Sequence, residues 1–195
     1  MRFDGKRIGF ALTGSHCTIA EVLPYMQLLK DEGATITPIL SPAVQKTDTR
    51  FGKAADWQQQ VTTISGKEPL TTLIQVEAIG PQKLLDLILI APCTGNTLAK
   101  MALGVTDTCV LLAAKAHLRN NRPVVLAIST NDGLGANARN IGTLMNRKHT
   151  YFVPFGQDSP EEKQNSLIAK MKFIPEALLA ALDGRQLQPV MVGYS

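Results

Sequence analysis

The segment 13–18, TGSHCT, places hydroxyls, an imidazole and a thiol between an apolar run and a helical pattern. A short turn from a strand into a helix presents free backbone N–H groups and the positive end of the helix dipole, which together attract anions. The hydroxyls of Thr13 and Ser15 add donors, and Gly14 lets the backbone approach a ligand closely. The segment therefore predicts an anion-binding site whose most suitable ligand is phosphate. In the alternative interpretation, Ser15 or Thr18 only caps the helix.

His16 and Cys17 are the chemically active side chains of this segment. His16 is the candidate acid/base residue, because imidazole exchanges protons near neutral pH and lies here beside the proposed anion. The alternative is that His16 satisfies local backbone groups. For Cys17 we expect a packed small residue rather than a reactive thiol. We assign Cys93 and Cys109 to the core, and we assign His117 and His149 to the surface.

Three further clusters of small polar residues follow apolar runs: Ser41, the segment 92–97 (PCTGNT) and the segment 129–133 (STNDG). Ligands of open parallel sheets bind outside the carboxyl ends of the strands. Four such clusters on one rim favour a phosphorylated or polyhydroxylated ligand. The candidate binding residues are Thr13, Gly14, Ser15, Ser41, Thr94, Gly95, Asn96, Thr97, Ser129 and Asn131.

Further polar residues lie on the predicted rim. Asn137 and Asn140 suit recognition of a carboxylate or a flavin ring, although Asn is also common in turns. Lys163 and Ser166 lie in the stretch DSPEEKQNS and would close over the site. In the alternative interpretation this stretch begins a helix, with Ser159 as its N-cap and a proline at its first position.

The strands and helices that position the rim are also predictable from the sequence. Apolar runs at 7–12, 34–40, 84–91, 123–129 and 150–155 predict buried strands, and helical patterns lie at 19–31, 94–103, 107–119 and 167–182. Pro24 predicts a kink or a late start in the first helix. Strands alternating with helices indicate an α/β fold with a parallel, helix-covered sheet. The irregular stretch 42–82 predicts a helix near 53–64 and a lid, and the composition of the tail 184–195 indicates a loop.

The amino-acid composition of the chain excludes several classes of protein function. The chain has 195 residues, 45% hydrophobic and 18% charged, which suits one globular domain over 1–195. A net charge of +4 from scattered Lys and Arg predicts no nucleic-acid partner, and no apolar run is long enough to predict a membrane helix. Neither GxGxxG nor GxxxxGK[ST] occurs. Three widely spaced cysteines and no signal peptide indicate free thiols, no metal site and a cytoplasmic protein.

The stretch 91–128, APCTGNTLAKMALGVTDTCVLLAAKAHLRNNRPVVLAI, resembles the flavoprotein family of FMN-binding decarboxylases and prenyltransferases. The resemblance rests on a Pro-x-x-x-x-Thr-hydrophobic-Ala-Lys pattern followed by Gly-x-x-Asp, and it extends over about 5–155. It implies a three-layer, flavodoxin-like (Rossmann-like) sandwich that forms homo-oligomers and binds FMN, often at the boundary between protomers.

The chain departs from the best-known enzymes of this family. The prenyltransferase branch has Arg where Leu112 stands and Arg-Glu-Thr-Pro where 129–132 stands. The cysteine-decarboxylase branch has a Pro-x-Met-Asn segment that 128–131 matches only at Asn131. Neither chemistry is therefore carried over to this chain.

The segments TGSHCT, APCTGNT, KAHLRNNRPVVLAISTNDGLG and YFVPFGQDSPEEKQNSL resemble a narrower branch of the family, over essentially the whole chain. Its members are B subunits of a two-component oxidoreductase of sporulating Firmicutes. The resemblance implies a mother-cell cytoplasmic protein that works with an A subunit, which carries NADP on its own Rossmann domain. Together the two proteins convert a hydroxylated tetrahydrodipicolinate from the lysine pathway, or its dehydrated form, into pyridine-2,6-dicarboxylate.

The rim can hold either a phosphate of FMN or a carboxylate of this substrate. Three functional hypotheses remain at this point. The chain has a catalytic or co-catalytic role in this oxidoreductase, is a non-catalytic partner with a vestigial nucleotide pocket, or is an FMN-dependent decarboxylase.

Overall fold

The structure, a computed structural model, describes residues 1–194 and shows an α/β protein built on a seven-stranded sheet. The strands are β1 Arg7–Leu12, β2 Thr35–Leu40, β3 Leu87–Cys93, β4 Val124–Thr130, β5 Thr150–Phe152, β6 Phe155–Gly156 and β7 Leu167–Ala169. The α-helices are α1 His16–Asp31, α2 Pro42–Lys46, α3 Ala54–Ser65, α4 Leu73–Glu77, α5 Gly95–Leu103, α6 Cys109–Arg119, α7 Ala138–Met145 and α8 Ile174–Leu182.

The sheet is mostly parallel. Its strand order is β2-β1-β3-β4-β7-β6, and β5 pairs with the first half of β4. β1, β2, β3, β4 and β5 run parallel, whereas β7 pairs antiparallel with the end of β4 and with β6. The predicted α/β, flavodoxin-like fold is confirmed.

The core lies between this sheet and the helices that cover it. β3 is buried along its whole length, as its unbroken apolar sequence requires. α1 and α8 contact each other and β3, while α6 packs on β2, β3 and β4 beside α4 and α5. Since α1 and α5 directly follow β1 and β3, both helices begin at the carboxyl edge of the sheet.

The predicted helix at 167–182 is wrong over its first part. Residues Leu167–Ala169 form β7, Met171–Phe173 form a 3-10 turn, and only Ile174–Leu182 is α-helical. A short apolar run fits a strand as well as a helix, and pairing with β4 and β6 decides between them. Pro175 in the first turn of α8 suits that helix start.

Several element boundaries also differ from the prediction. The strand predicted at 84–91 occupies Leu87–Cys93, and the strand predicted at 150–155 is divided into β5 and β6. Pro154 lies in this gap and has no N–H for a ladder hydrogen bond. Helix α1 begins at His16 and continues through Pro24, so the predicted late start is wrong. The last residue of the predicted tail, Ser195, lies outside the described residues.

The irregular stretch 42–82 contains the predicted helix, as α3, together with the short helices α2 and α4. α3 contacts α1 and β2, and its Trp57 is buried in the core cluster. The Trp57 ring packs directly against Gly52, where no side chain would fit. This stretch therefore extends the helical cover of the sheet beside β2.

Candidate functional site

The four polar clusters meet at the carboxyl edge of β1, β2, β3 and β4, because these strands are parallel neighbours. Side-chain contacts join clusters that are far apart in sequence. Ser15 Oγ and Ser129 Oγ lie 2.7 Å apart, and Thr18 Oγ1 lies 2.8 Å from the same Ser129 oxygen. The edge therefore carries a continuous polar surface between the N-terminus of α1 and the end of β4.

Thr13 connects two of the clusters. Its buried hydroxyl donates to the carbonyl of Pro92 at 2.7 Å and accepts from the N–H of Thr94 at 3.0 Å. Thr94 in turn caps α5, where its Oγ1 accepts from the Thr97 N–H at 3.2 Å. The hydroxyls of Thr13 and Thr94 are thus engaged in positioning the loop between β3 and α5.

The first of two cavities at this edge, which we call the Ser41 cavity, has a volume of about 380 Å³. Ser41 is 8% exposed, and within residues 1–194 its Oγ has no hydrogen-bond partner. A Cβ on Gly14 would lie 2.9 Å from the Ala43 Cβ, so the backbone closes tightly here. The lining residues are Thr13, Gly14, Ser41, Pro42, Ala43, Thr94, Asn96, Thr97, Lys100, Thr108 and Leu111.

The second cavity, the Lys163 cavity, has a volume of about 240 Å³ and shares Gly14 and Thr94 with the first. A Cβ on Gly95 would lie 2.6 Å from both Asn137 Nδ2 and Thr130 Oγ1, so this wall has no room for a side chain. The lining residues are Gly14, Ser15, Cys17, Thr18, Thr94, Gly95, Ser129, Thr130, Asn131, Asp158, Lys163, Ser166, Leu167 and Ile168.

The ten candidate binding residues are therefore divided between two adjoining cavities. Of these two cavities, the Ser41 cavity alone includes Thr13, Ser41, Asn96 and Thr97, whereas the Lys163 cavity alone includes Ser15, Gly95, Ser129 and Asn131. His16 is among the lining residues of neither cavity, although its Nε2 lies 3.8 Å from the position of a Cβ on Gly14. The His16 Nδ1 is shielded from solvent and has no hydrogen-bond partner within residues 1–194.

The cysteines differ in their surroundings. Cys17 is exposed and lines the Lys163 cavity, so its predicted role as a packed residue is wrong. It is the second residue of α1 and does not belong to the face of this helix that packs against the core. Cys93 and Cys109 are buried, as predicted. Burial raises the pKa of the Cys109 thiol, which donates to the Leu40 carbonyl at 3.0 Å.

His117 does not lie on the surface, contrary to the prediction. It is 1% exposed on the inner face of α6, and its Nε2 has no hydrogen-bond partner in the described part of the chain. Burial lowers the pKa of its imidazole to about 4, and the charge of Arg122 acts in the same direction. His149, also predicted at the surface, is half-buried.

The stretch 157–166 forms turns instead of the helix that Ser159 suggested as an alternative. Lys163 and Ser166 line the cavity that they were predicted to cover. Sequence reasoning missed Asp158, which lies five residues before Lys163 and faces the same cavity. Asp158 is the first residue of the polar stretch DSPEEKQNS, and its acidic side chain was the only feature of the sequence that could have indicated a role in the site.

Several other residues that line the Ser41 cavity were not predicted from the sequence. Pro42, Ala43, Thr108 and Leu111 of the Ser41 cavity belong to α2 and the start of α6, and chain order alone does not place them at this edge. Lys100, which ends the family pattern, lies 2.5 Å from Asp107 in an ion pair. Asn137 and Asn140 are buried behind the rim, where Asn140 Nδ2 donates to Asn137 Oδ1 at 2.9 Å.

Two broader features bear on the kind of site. Of the helices within residues 1–194, none combines the length and apolarity needed to span a membrane. The same residues contain no group of three or more His, Cys, Asp or Glu side chains placed to hold a metal ion.

Comparison with known proteins gives a consistent result. A family model described as Flavoprotein matches residues 2–177. The B subunit of dipicolinate synthase from Bacillus subtilis (strain 168) is 49% identical over 188 residues, which cover 96% of this chain and 94% of that protein.

Solved structures agree with this result. The crystal structure of the dipicolinate synthase B subunit from Bacillus halodurans C has a TM-score of 0.92 and 49% identity, with 100% of both chains covered. An FMN-dependent cysteine decarboxylase, SpaF, shares the fold at a TM-score of 0.71 and 19% identity, covering 93% of this chain and 97% of its own.

Proposed function

The chain belongs to the flavoprotein family, and from this premise we propose that it is an FMN-binding B subunit of a dipicolinate synthase. In this proposal it works with a separate NADP-carrying A subunit in the mother cell of a sporulating bacterium. The pair converts a hydroxytetrahydrodipicolinate or its dehydrated form into pyridine-2,6-dicarboxylate. Support comes from 49% identity over 96% of the chain to a protein of that name.

The observation that carries the FMN assignment is the unpartnered hydroxyl of Ser41. A buried hydroxyl without a partner is costly, and a ligand that supplies a partner removes that cost. The Ser41 cavity adds the backbone of Gly14 and the polar side chains of Asn96 and Thr97. Donors near the N-terminus of α5 suit a phosphate or the hydroxyls of a ribityl chain. The residues present therefore fit the polar part of FMN.

The reaction requires the loss of water, a hydride and a proton to make the ring aromatic. FMN, when bound, supplies a group that exchanges hydride with a substrate or with a nicotinamide. In our proposal the adjoining Lys163 cavity binds and orients the substrate, and its hydroxyl cluster of Ser15, Thr18 and Ser129 donates hydrogen bonds. His16 remains our candidate for proton exchange, because its ring lies beside Gly14, which both cavities share.

The visible absorption spectrum of the purified protein tests the cofactor. After addition of FMN and gel filtration, flavin bands near roughly 370 and 450 nm should travel with the protein. Replacing Ser41 by Ala should weaken FMN binding about tenfold, the effect of one lost hydrogen bond. Ser65→Ala is the matched control, because Ser65 Oγ bonds to the Val61 carbonyl within α3. A protein that takes up no FMN would refute the assignment.

Reconstitution tests the reaction itself. The chain is mixed with the purified A subunit, NADP and hydroxytetrahydrodipicolinate. The pyridine-2,6-dicarboxylate that forms is quantified by its ultraviolet absorption. The proposal expects a higher rate than the A subunit gives on its own. An equal rate with and without this chain would contradict a co-catalytic role.

A further inference from the structure

The Lys163 cavity contains one positive and one negative side chain, and each lacks a full set of partners. We infer that this cavity binds a cyclic amine or imine carboxylate in its zwitterionic form. Lys163 pairs with a ligand carboxylate, and Asp158 accepts a hydrogen bond from the protonated ring nitrogen. This inference rests on the proposed function and specifies the charge state of the ligand that the site selects.

Asp158 provides the first argument. Its Oδ1 is shielded from solvent and has no hydrogen-bond partner among residues 1–194. Its Oδ2 lies 3.6 Å from Lys163 Nζ, which is longer than an ordinary charge-assisted hydrogen bond. Burying a carboxylate oxygen without a donor is unfavourable. A ligand N–H that reaches this oxygen from the cavity would therefore be bound strongly.

Lys163 provides the second argument. Its side chain is 53% exposed, and the described residues offer it only the contact to Asp158. An ammonium group has three donors, so Lys163 keeps donors available for a ligand carboxylate. On the same cavity wall, the hydroxyls of Ser15 and Ser129 lie at the N-terminus of α1, a favourable place for negative charge.

The balance of charge decides between ligand classes. Among the described lining residues, Lys163 and Asp158 are the only ones with formally charged side chains. A ligand that carries only negative charge would pair with Lys163, but it would leave no positive group to offset its repulsion by the Asp158 carboxylate. A protonated nitrogen between two carboxylates matches both side chains. The volume of about 240 Å³ lies below the roughly 300–1,000 Å³ of drug-sized sites, which suits a single ring.

Calorimetric titration with two ring compounds tests the inference. Piperidine-2,6-dicarboxylate carries a protonated secondary amine at pH 7.5, whereas the nitrogen of pyridine-2,6-dicarboxylate is not protonated. The unmodified protein should bind the piperidine compound at least tenfold more tightly. Asp158→Asn should remove this preference by weakening the piperidine compound about tenfold, while Lys163→Gln should weaken both compounds about tenfold.

Glu68→Gln and Lys67→Gln are matched controls, because both residues are exposed and lie outside the cavity. Urea unfolding curves establish that each variant is folded. Equal binding of both compounds, or an equal loss of both in Asp158→Asn, would overturn the inference. FMN uptake by the same samples separates the outcomes, since a protein that binds FMN but prefers neither compound contradicts only the inference about charge.

Discussion

The residue His117 shows how packing changes the chemistry of a side chain. Its imidazole is buried and neutral, with a pKa of about 4 against an ordinary 6.5. As the pH falls through 6.5, the unfolded chain takes up a proton that the folded chain binds only near pH 4. Folding stability should therefore fall over this interval, by roughly 3 kcal/mol at most. Urea unfolding at pH 7 and pH 4.5 measures it, and His117→Gln should remove most of this slope.

His149→Asn is the control for this experiment. His149 is half-buried and has a φ of +63°, a conformation that Asn tolerates better than most residues. This variant should keep the pH dependence of the unmodified protein. The explanation would be wrong if His117→Gln and the unmodified protein lost the same stability between the two pH values.

At the scale of elements, the hydroxyl of Thr13 ties the end of β1 to the loop between β3 and α5. Thr13→Val keeps the shape of the side chain but leaves the Pro92 carbonyl and the Thr94 N–H without their buried partner. We expect a loss of about 2 kcal/mol in the free energy of unfolding, because unsatisfied buried groups are costly. Urea denaturation checks this. Thr143→Val on the exposed face of α7 should change stability by less than about 0.5 kcal/mol, and an equal change in both variants would contradict the explanation.

Elements with a strong local pattern were predictable. β1 and α5 are examples, since the first is an apolar run and the second lies between a capping Thr94 and Gly104, whose φ of +75° suits glycine. The segment 167–169 was not predictable in the same way. Its apolar residues fit a helix or a strand, and only its antiparallel pairing with β4 and β6, which are distant in sequence, decides the outcome.

At the scale of the whole molecule, the face around α5 and α6 exposes apolar side chains. Leu103, the last residue of α5, is 73% exposed, and two residues later Val105 is 39% exposed and lines a groove of about 300 Å³ that also contains Met101 and Leu118. Exposed apolar groups of this kind mark association surfaces. We predict that the protein forms homo-oligomers through this face, and that Leu103→Gln shifts the sedimentation velocity toward that of the monomer.

Ile74→Gln is the matched control for the association surface. Ile74 is 83% exposed on α4, outside the segment 101–105 that brings Met101, Leu103 and Val105 to this face. It should leave the sedimentation profile unchanged. An unmodified protein that sediments as a monomer, or an equal effect of both substitutions, would refute the prediction for this face.

The sequence by itself determined which residues form most of the sheet and that four polar clusters follow its parallel strands. It also carried the pattern at 92–100 that indicates the flavoprotein family. These features are local, because the periodicity of a strand or helix and the composition of a turn depend only on residues that are close in sequence. Only the tertiary structure divided the rim into two cavities, left Ser41 Oγ without a partner, placed Asp158 beside Lys163 and buried His117. The burial and pairing of a polar atom depend on groups brought near it from distant parts of the chain, and local sequence does not encode those distances.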